Sequence, residues 1–365
     1  MLWFSCGTAA ELIKLYPILQ RAERAKTPWA MAFTGQSPGA CVAQWQEFGY
    51  GSERFRPLLH RDADLRRARE AASWFAQALL LSKKQLRERL ATAALPAPQK
   101  GDHFIVHGDT LSTLLGATFG RRLGAEVAHV EAGLRTGSLR DPFPEEANRT
   151  LVGQLTRLHF APTQKAVKDL ERERVRGRIV FTHGNTQIDA VDEALALPGP
   201  AEVPEGAYGL VNVHRFETLI SEERKRAVKR TMLRASELHP LVVVSHEQTQ
   251  AWVETEPQFR ADLEKNGARW LGRQPFIRFV HWLARARFIV ADSAGNQNEC
   301  EHLGIPCLLL RHRTEAPLLE NGSVVLSRFE NDVIEQFLTN PDSLRRERQK
   351  VADKPSDIIY RELTR

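Results

Sequence analysis

The sequence predicts an α/β protein built from two doubly wound domains, and three observations carry that prediction. Short apolar runs recur along the chain, and each stops at glycine, proline or a polar residue, as buried parallel strands do at the edge of a sheet. Charged segments with helical spacing lie between the runs, giving a strand–helix alternation. The alternation then restarts after Leu197-Pro198-Gly199-Pro200-Ala201-Glu202-Val203-Pro204-Glu205-Gly206, a stretch whose prolines and glycines read as a linker. A length of 365 residues suits two domains of about 150–200 residues better than one. The expected division is 1–195, a linker over 196–207, a second domain over 208–345 and a helical tail over 346–365 that packs back on the first domain. A cleft between the domains is expected to hold the site.

Leu2 to Ser5 reads as the first strand, Cys6-Gly7-Thr8-Ala9-Ala10-Glu11 as a turn, and Leu12, Ile13, Tyr16, Ile18 and Leu19 as a helix face. The turn lacks a GxGxxG pattern, so by itself it points weakly to a cofactor. Met31–Phe33 is the second strand candidate, ending at Thr34-Gly35-Gln36. Residues 61–95 read as one amphipathic covering helix that includes Leu79 and Leu80. Further strands are expected at Phe104–Val106, Val127–Val130, Leu158–Ala161 and Ile179–Thr182, with a charged helix over Lys165–Arg174. In the second half, strands are expected at Tyr208–Val213, Leu241–Ser245, Trp270–Leu271, Phe288–Ala291 and Cys307–Leu310. Helices are expected at Glu222–Leu238, Phe276–Ala284 and from Asp292-Ser293-Ala294-Gly295-Asn296-Gln297 to Leu303. The tail reads as two charged helical pieces separated by Pro355.

Hydrophobic residues at 42% and charged residues at 26% describe an ordinary soluble globular chain. The net charge of +6 comes from basic residues dispersed among acids, which argues against nucleic acid and suits a small anionic substrate. Cys6, Cys41, Cys300 and Cys307 form no CxxC pair and read as buried thiols in a reducing cytosol. The apolar start is too short for a signal peptide, and no run approaches the ~20 apolar residues of a membrane span. No set of His, Cys and Asp has metal spacing, so neither metal nor cofactor is expected.

Residues 107–149 concentrate the chemistry. Asp109 follows one apolar run in His107-Gly108-Asp109-Thr110, Glu131 follows the next in His129-Val130-Glu131-Ala132-Gly133-Leu134-Arg135-Thr136-Gly137, and Glu145 stands in Pro144-Glu145-Glu146-Ala147-Asn148-Arg149. Carboxylates resist burial, so acids repeated at the mouths of buried strands point to acid–base work. His107, His129 and His183 read as structural hydrogen-bonding histidines.

Taken in order, HGDT at 107–110, HVEAGLRTG at 129–137, PEEANR at 144–149, HFAPT at 159–163, HGNTQIDA at 183–190, His214-Arg215 with Glu217, and DSAGNQNE at 292–299 resemble the UDP-N-acetylglucosamine 2-epimerase family, in its non-hydrolysing form. The resemblance covers most of residues 5–320 and implies a GT-B-like pair of Rossmann-like domains. It implies a nucleotide diphospho-sugar substrate whose C2 proton is removed as the diphosphate leaves C1, followed by re-addition from the other face. It assigns Asp109, Glu131, Glu145 and His214 to catalysis, with Asp109 and Glu131 the pair that moves protons and one of the crowded acids protonated. It assigns Lys14, Arg135, Arg149, Arg215, Ser293, Gly295 and Glu299 to substrate binding, the diphosphate at the Ser293 turn and the ribose at Glu299. It further implies a cytoplasmic homodimer serving cell-surface polysaccharide biosynthesis.

The chain departs from the family pattern around the nucleotide. Ala9 and Ala316 stand where arginines are usual, Ala294 where a glycine is, Phe216 where HRREN has arginine, and Gln36-Ser37-Pro38 where an allosteric Gln-His block is. Two lost contacts to phosphate are worth about two to four decades of affinity. The pattern implies a divergent member without the usual allosteric control. Three alternatives accompany this reading: a hydrolysing epimerase that releases UDP and free sugar, a GT-B glycosyltransferase, and a non-catalytic nucleotide-sugar binder.

Overall fold

The computed structural model describes residues 1–65, 68–135, 145–199, 206–314 and 318–365. Thr136, Gly137, Pro144, Ala316 and most of the Pro/Gly-rich linker therefore lie outside the described residues. The chain forms two compact units, Met1–Ala190 with Ala352–Arg365, and Val191–Val351.

Unit one runs β1 (Leu2–Cys6), α1 (Ala9–Arg24), β2 (Trp29–Phe33), α2 (Pro38–Glu47), α3 (Ala68–Leu79), α4 (Lys83–Thr92), β3 (His103–His107), α5 (Leu111–Leu123), β4 (Glu126–Val130), α6 (Glu145–Leu155), β5 (Leu158–Ala161), α7 (Gln164–Arg172), β6 (Arg178–Phe181) and the start of α8 (Gln187–Ala196). Its six strands are parallel in the order β2-β1-β3-β4-β5-β6. The strands are buried on both faces, which is why they read as continuous apolar runs rather than alternating ones. On one face Trp3, Phe104, Val106, Leu115, Phe119 and Val127 form the centre of the core. The strand order reverses between β1 and β3, so the turns after these two strands flank the switch point where open α/β sheets bind ligands.

Unit two continues with β7 (Gly209–Asn212), α9 (Phe216–Leu219), α10 (Glu222–Leu238), β8 (Leu241–Ser245), α11 (Glu247–Glu254), α12 (Pro257–Lys265), β9 (Arg269–Gly272), α13 (Phe276–Arg285), β10 (Phe288–Ala291), α14 (Ala294–Leu303), β11 (Cys307–Leu309), β12 (Val324–Leu326) and α15 (Asn331–Thr339), before α16 (Pro355–Leu363) closes the chain in unit one. Its parallel order is β12-β11-β10-β7-β8-β9, and the reversal falls between β7 and β10. The turns after β7 and β10 carry His214 and Ser293, respectively.

Three expectations are corrected. Residues 61–95 contain two helices, because Ser82 caps α4: its hydroxyl accepts from the Gln85 N–H while the Gln85 side chain accepts from the Ser82 N–H. Leu80, expected on the apolar face, lies between them and is 82% exposed. In the tail Pro355 opens α16 at its first position instead of separating two helices, since a missing N–H costs nothing there. The first unit boundary falls inside α8 and not in the Pro/Gly stretch. Asp189 accepts from the Ser356 N–H at 2.7 Å within unit one, while Asp192, three residues on, meets His302 at 2.6 Å and Arg348 at 2.5 Å within unit two.

Candidate active site

In unit one the site is built on strand ends. Gly108, at φ +73°, turns the chain out of β3, and Thr110 then caps α5 by accepting from the Thr113 N–H. Asp109 sits between them. Its carboxylate pairs with Arg149 Nη2, and its backbone carbonyl accepts from Asn148 Nδ2 at 2.9 Å. Both partners lie one turn beyond Glu145, the first residue of α6, so this helix brings its N-terminal acid toward the Asp109 turn. Glu146 beside it is buried and meets Arg149 Nη1 at 3.2 Å.

Glu131 leaves β4 at φ +67°, a left-handed conformation that glutamate adopts only when its surroundings hold it there. Its Oε2 accepts from Lys14 Nζ at 2.7 Å and from Asn185 Nδ2, and His107 Nε2 stands 3.6 Å away. Burial alone pushes this carboxyl up, but the Lys14 ammonium and the Asn185 amide outweigh it and hold it down to about 2. Burial holds His107 down to about 3 despite the neighbouring carboxylate, so its ring is neutral. Burial likewise holds His129 down to about 3, with Nε2 2.7 Å from the Gly108 carbonyl.

In unit two, Asp292 is fully buried at the end of β10 and accepts from the His214 N–H at 3.1 Å and the Arg215 N–H at 2.9 Å, tying the two switch-point turns together. His214 Nδ1 lies 3.7 Å from Asp292, and its ring stacks on His246 with centroids 4.2 Å apart. Burial lowers the His214 pKa, against the pull of Asp292 and with help from Arg215 and Arg273. Ser293 caps α14 by accepting from the Asn296 N–H at 3.2 Å. The first turn of α14 therefore offers the N–H groups of Ala294 and Gly295 at a positive helix end, the arrangement that binds anions.

Each basic residue expected to bind substrate stands beside a carboxylate. Lys14 is on Glu131, and Arg149 is on Asp109 and Glu146. Arg135 makes a two-pronged pair with Glu173 at 2.6 and 2.7 Å, and Arg215 meets Glu217 at 3.0 Å. Asp109 and Glu131 thus each have a cation beside them.

Several residues escaped sequence reasoning. Asn185 was noted only inside a motif. Glu11, 2% exposed, accepts from the Gly7 N–H at 2.6 Å, the Thr8 N–H at 3.1 Å and the Thr113 hydroxyl at 3.1 Å, and it contacts the Thr110 hydroxyl. Burial raises its pKa against these hydrogen bonds. It joins the turn after β1 to the turn after β3. Gly7 is required at that junction, since a Cβ there would stand 2.0 Å from Ser112 Oγ. A buried acid five residues past a strand, followed by apolar helix positions, was the available signal. Among the described residues no group of three His, Cys, Asp or Glu side chains could hold a metal ion, and no helix is long and apolar enough to cross a membrane.

Two parallel six-stranded sheets flanked by helices, with acids at one switch point and an N-capped helix at the other, define a GT-B-like enzyme of two Rossmann-like domains. Residues 89–358 match the model of a family described as UDP-N-acetylglucosamine 2-epimerase. The chain is 34% identical over 263 residues to UDP-N-acetylglucosamine 2-epimerase of Bacillus subtilis (68% of this chain, 67% of that one), and 34% identical over 239 residues to that of Yersinia pestis (62% and 64%). Its matches to the relatives from Y. pestis and Escherichia coli span less than two thirds of their length, at 64% and 61%. The crystal structure of Methanocaldococcus jannaschii UDP-GlcNAc 2-epimerase in complex with UDP-GlcNAc and UDP superimposes with a TM-score of 0.78 at 25% identity, covering 100% of this chain and 99% of that one. The chain belongs to the UDP-N-acetylglucosamine 2-epimerase family, and it is an isomerase by that membership.

Proposed function

We propose that this protein inverts C2 of a UDP-N-acetylhexosamine, interconverting UDP-GlcNAc and UDP-ManNAc or a modified pair, by elimination and re-addition of UDP. The observation that carries this reading is Glu131: a carboxylate in a strained backbone conformation, held ionised by Lys14 and Asn185 and placed in unit one beside the loop that bears Asp109. The C2–H is not acidic, so it leaves only as the C1–O bond to the diphosphate breaks and with a base held against it. A carboxylate near pKa 2 is ready but weak as a base. A ligand group that draws the Lys14 ammonium away returns basicity to Glu131 where the proton is to be taken. Asp109, paired with Arg149, is the second acid, at the end of the neighbouring strand, and Glu145 at the start of α6 is the third. In this reading the Ala294 and Gly295 N–H groups receive the diphosphate, Glu299 the ribose, and His214 the leaving group's charge.

The reading extends to a homodimer in the cytosol that supplies a precursor for cell-surface polysaccharide. The four buried, unbridged cysteines and the family support it. Light scattering on the purified chain checks the dimer. Proton NMR of UDP-GlcNAc incubated with the protein tests the activity, and UDP-ManNAc is the expected new signal. Free N-acetylmannosamine with UDP would move the assignment to the hydrolysing form, and an unchanged spectrum across a panel of nucleotide sugars would overturn it.

A further inference from the structure

We propose that Glu11 is a positioning residue for Asp109, its buried carboxyl fixing the turn that carries that acid against the start of α1. The proposal rests on the reading above for the role of Asp109. Glu11 is 2% exposed, and among the described residues no cation pairs with it. A buried acid without a cation persists only where hydrogen bonds take the place of water. Its Oε2 accepts from the Gly7 N–H at 2.6 Å and the Thr8 N–H at 3.1 Å, at the turn that opens α1. In an open α/β sheet such amides are a ready place for a ligand's phosphate, and here the chain's own carboxyl fills it. Its Oε1 accepts from the Thr110 hydroxyl. The Thr113 hydroxyl stands 3.1 Å from the same oxygen and 2.7 Å from the His107 carbonyl, its one hydrogen shared between them.

His107 and Thr110 flank Gly108-Asp109. Glu11 therefore reaches the chain on both sides of Asp109, through Thr113 to the His107 carbonyl before it and through Thr110 after it. Gly108, at φ +73°, brings no stiffness of its own, so this bracket sets the direction in which Asp109 leaves the turn. The two threonines also hold each other. The Thr110 N–H donates to Thr113 Oγ1 at 3.1 Å, and the Thr113 N–H donates to Thr110 Oγ1 at 3.2 Å, so displacing one displaces the other. One turn along α1 from Glu11, Lys14 meets Glu131 at 2.7 Å. The start of α1 thus serves both acids of the proposed proton transfer, Asp109 through its backbone and Glu131 through its side chain, and a rigid helix sets their spacing.

The test follows deuterium entry at C2 of UDP-GlcNAc in deuterated water, with kcat, KM, UDP affinity by calorimetry and melting temperature beside it. Glu11→Gln is nearly isosteric and keeps an acceptor for the Gly7 and Thr8 N–H groups, but it turns an NH2 toward hydroxyls that had donated. It is expected to stay folded and to slow exchange and kcat by about tenfold to a hundredfold, while KM and UDP affinity hold within about threefold, the split that a displaced acid gives. Thr110→Val breaks the same bracket from its other side and is expected to repeat that result, which gives the reading if Glu11→Gln does not fold. Thr110→Ser keeps both the hydroxyl and the cap, and its exchange is expected within about threefold of wild type. Wild-type exchange in folded Glu11→Gln or Thr110→Val, UDP affinity that falls in step with exchange, or a Thr110→Ser as slow as Thr110→Val overturns the proposal. A wild type that places no deuterium at C2 overturns the proposed function itself, and this inference with it.

Discussion

At the switch point of the first sheet, Asp109 and Glu131 stand beside Arg149 and Lys14. At that of the second, Asp292 is met by backbone N–H groups, two imidazoles stack, and Asn212, Ser293, Asn296 and Glu299 share one chain of hydrogen bonds. The same strand–turn–helix geometry thus carries two kinds of electrostatics. Cations paired with carboxylates make protonation sensitive to an arriving anion, which suits proton transfer. A net of amides and backbone dipoles keeps its shape whatever binds, which suits holding a nucleotide. The different electrostatics of the two units follow from the partners each sheet gives its strand-end residues.

The contrast is sharpest at Arg149. Arg149→Met leaves the Asp109 and Glu146 carboxylates without their shared cation, and both a stability loss of about 3–5 kcal/mol and a kcat loss of roughly a hundredfold or more are expected. Denaturant melts and steady-state kinetics check this, and a variant as stable and active as wild type would show that the pair is idle. Lys14→Met removes the largest downward influence on Glu131, so its pKa rises and the acidic limb of the kcat/KM profile moves to higher pH. A limb that stays in place would take Lys14 off Glu131 in solution.

Acid separates the units further. Burial depresses His103, His107, His129 and His159 in unit one, and His214 and His246 in unit two. A buried histidine that is neutral when folded and charged when unfolded leaves the unfolded chain with more protons. Stability is therefore complete above the ordinary value of 6.5 and falls as pH drops toward about 3, by up to about 1.4 kcal/mol per pH unit for each fully depressed ring. Glu131 acts with the same sign in a lower window, from 4.5 to about 2, and so do the depressed carboxyls of Asp102 in unit one and Glu217 in unit two, with smaller contributions from the exposed Glu335 and Asp342 of unit two. Glu11 and Asp189, pushed up by burial, act with the opposite sign in unit one, and Glu301 does so in unit two. Hydrogen exchange across a pH series is expected to open unit one before unit two, and the reverse order would contradict the contrast. The smallest effect on activity is expected at Arg135→Ala, where the guanidinium already has both oxygens of Glu173. KM should stay within about twofold while stability falls by about 1–3 kcal/mol.

The strands were legible because parallel strands buried on both faces write continuous apolar runs; Leu241–Ser245 and Phe288–Ala291 match the structure residue for residue. The break between α3 and α4 was not, because apolar periodicity runs through Leu79 and Leu80 while a capping serine two residues later decides the matter. Asp109, Glu131 and Glu145 stood out as acids where burial is costly. Their partners did not, since which arginine meets which acid is a matter of three-dimensional proximity: Arg149 lies 40 positions from Asp109, and Lys14 117 positions from Glu131. Asn212 and Asn296 carry no charge and fit no spacing rule, and only their burial reveals them.

Exchange at the sugar's C2 tests the account most directly. With UDP-GlcNAc in deuterated water, wild type is expected to place deuterium at C2 of recovered nucleotide sugar, and Glu131→Gln to slow that exchange by two to four decades while UDP affinity holds within about threefold. Epimerisation without C2 deuterium, or undiminished exchange in folded Glu131→Gln, would contradict the claim that this carboxylate takes the proton.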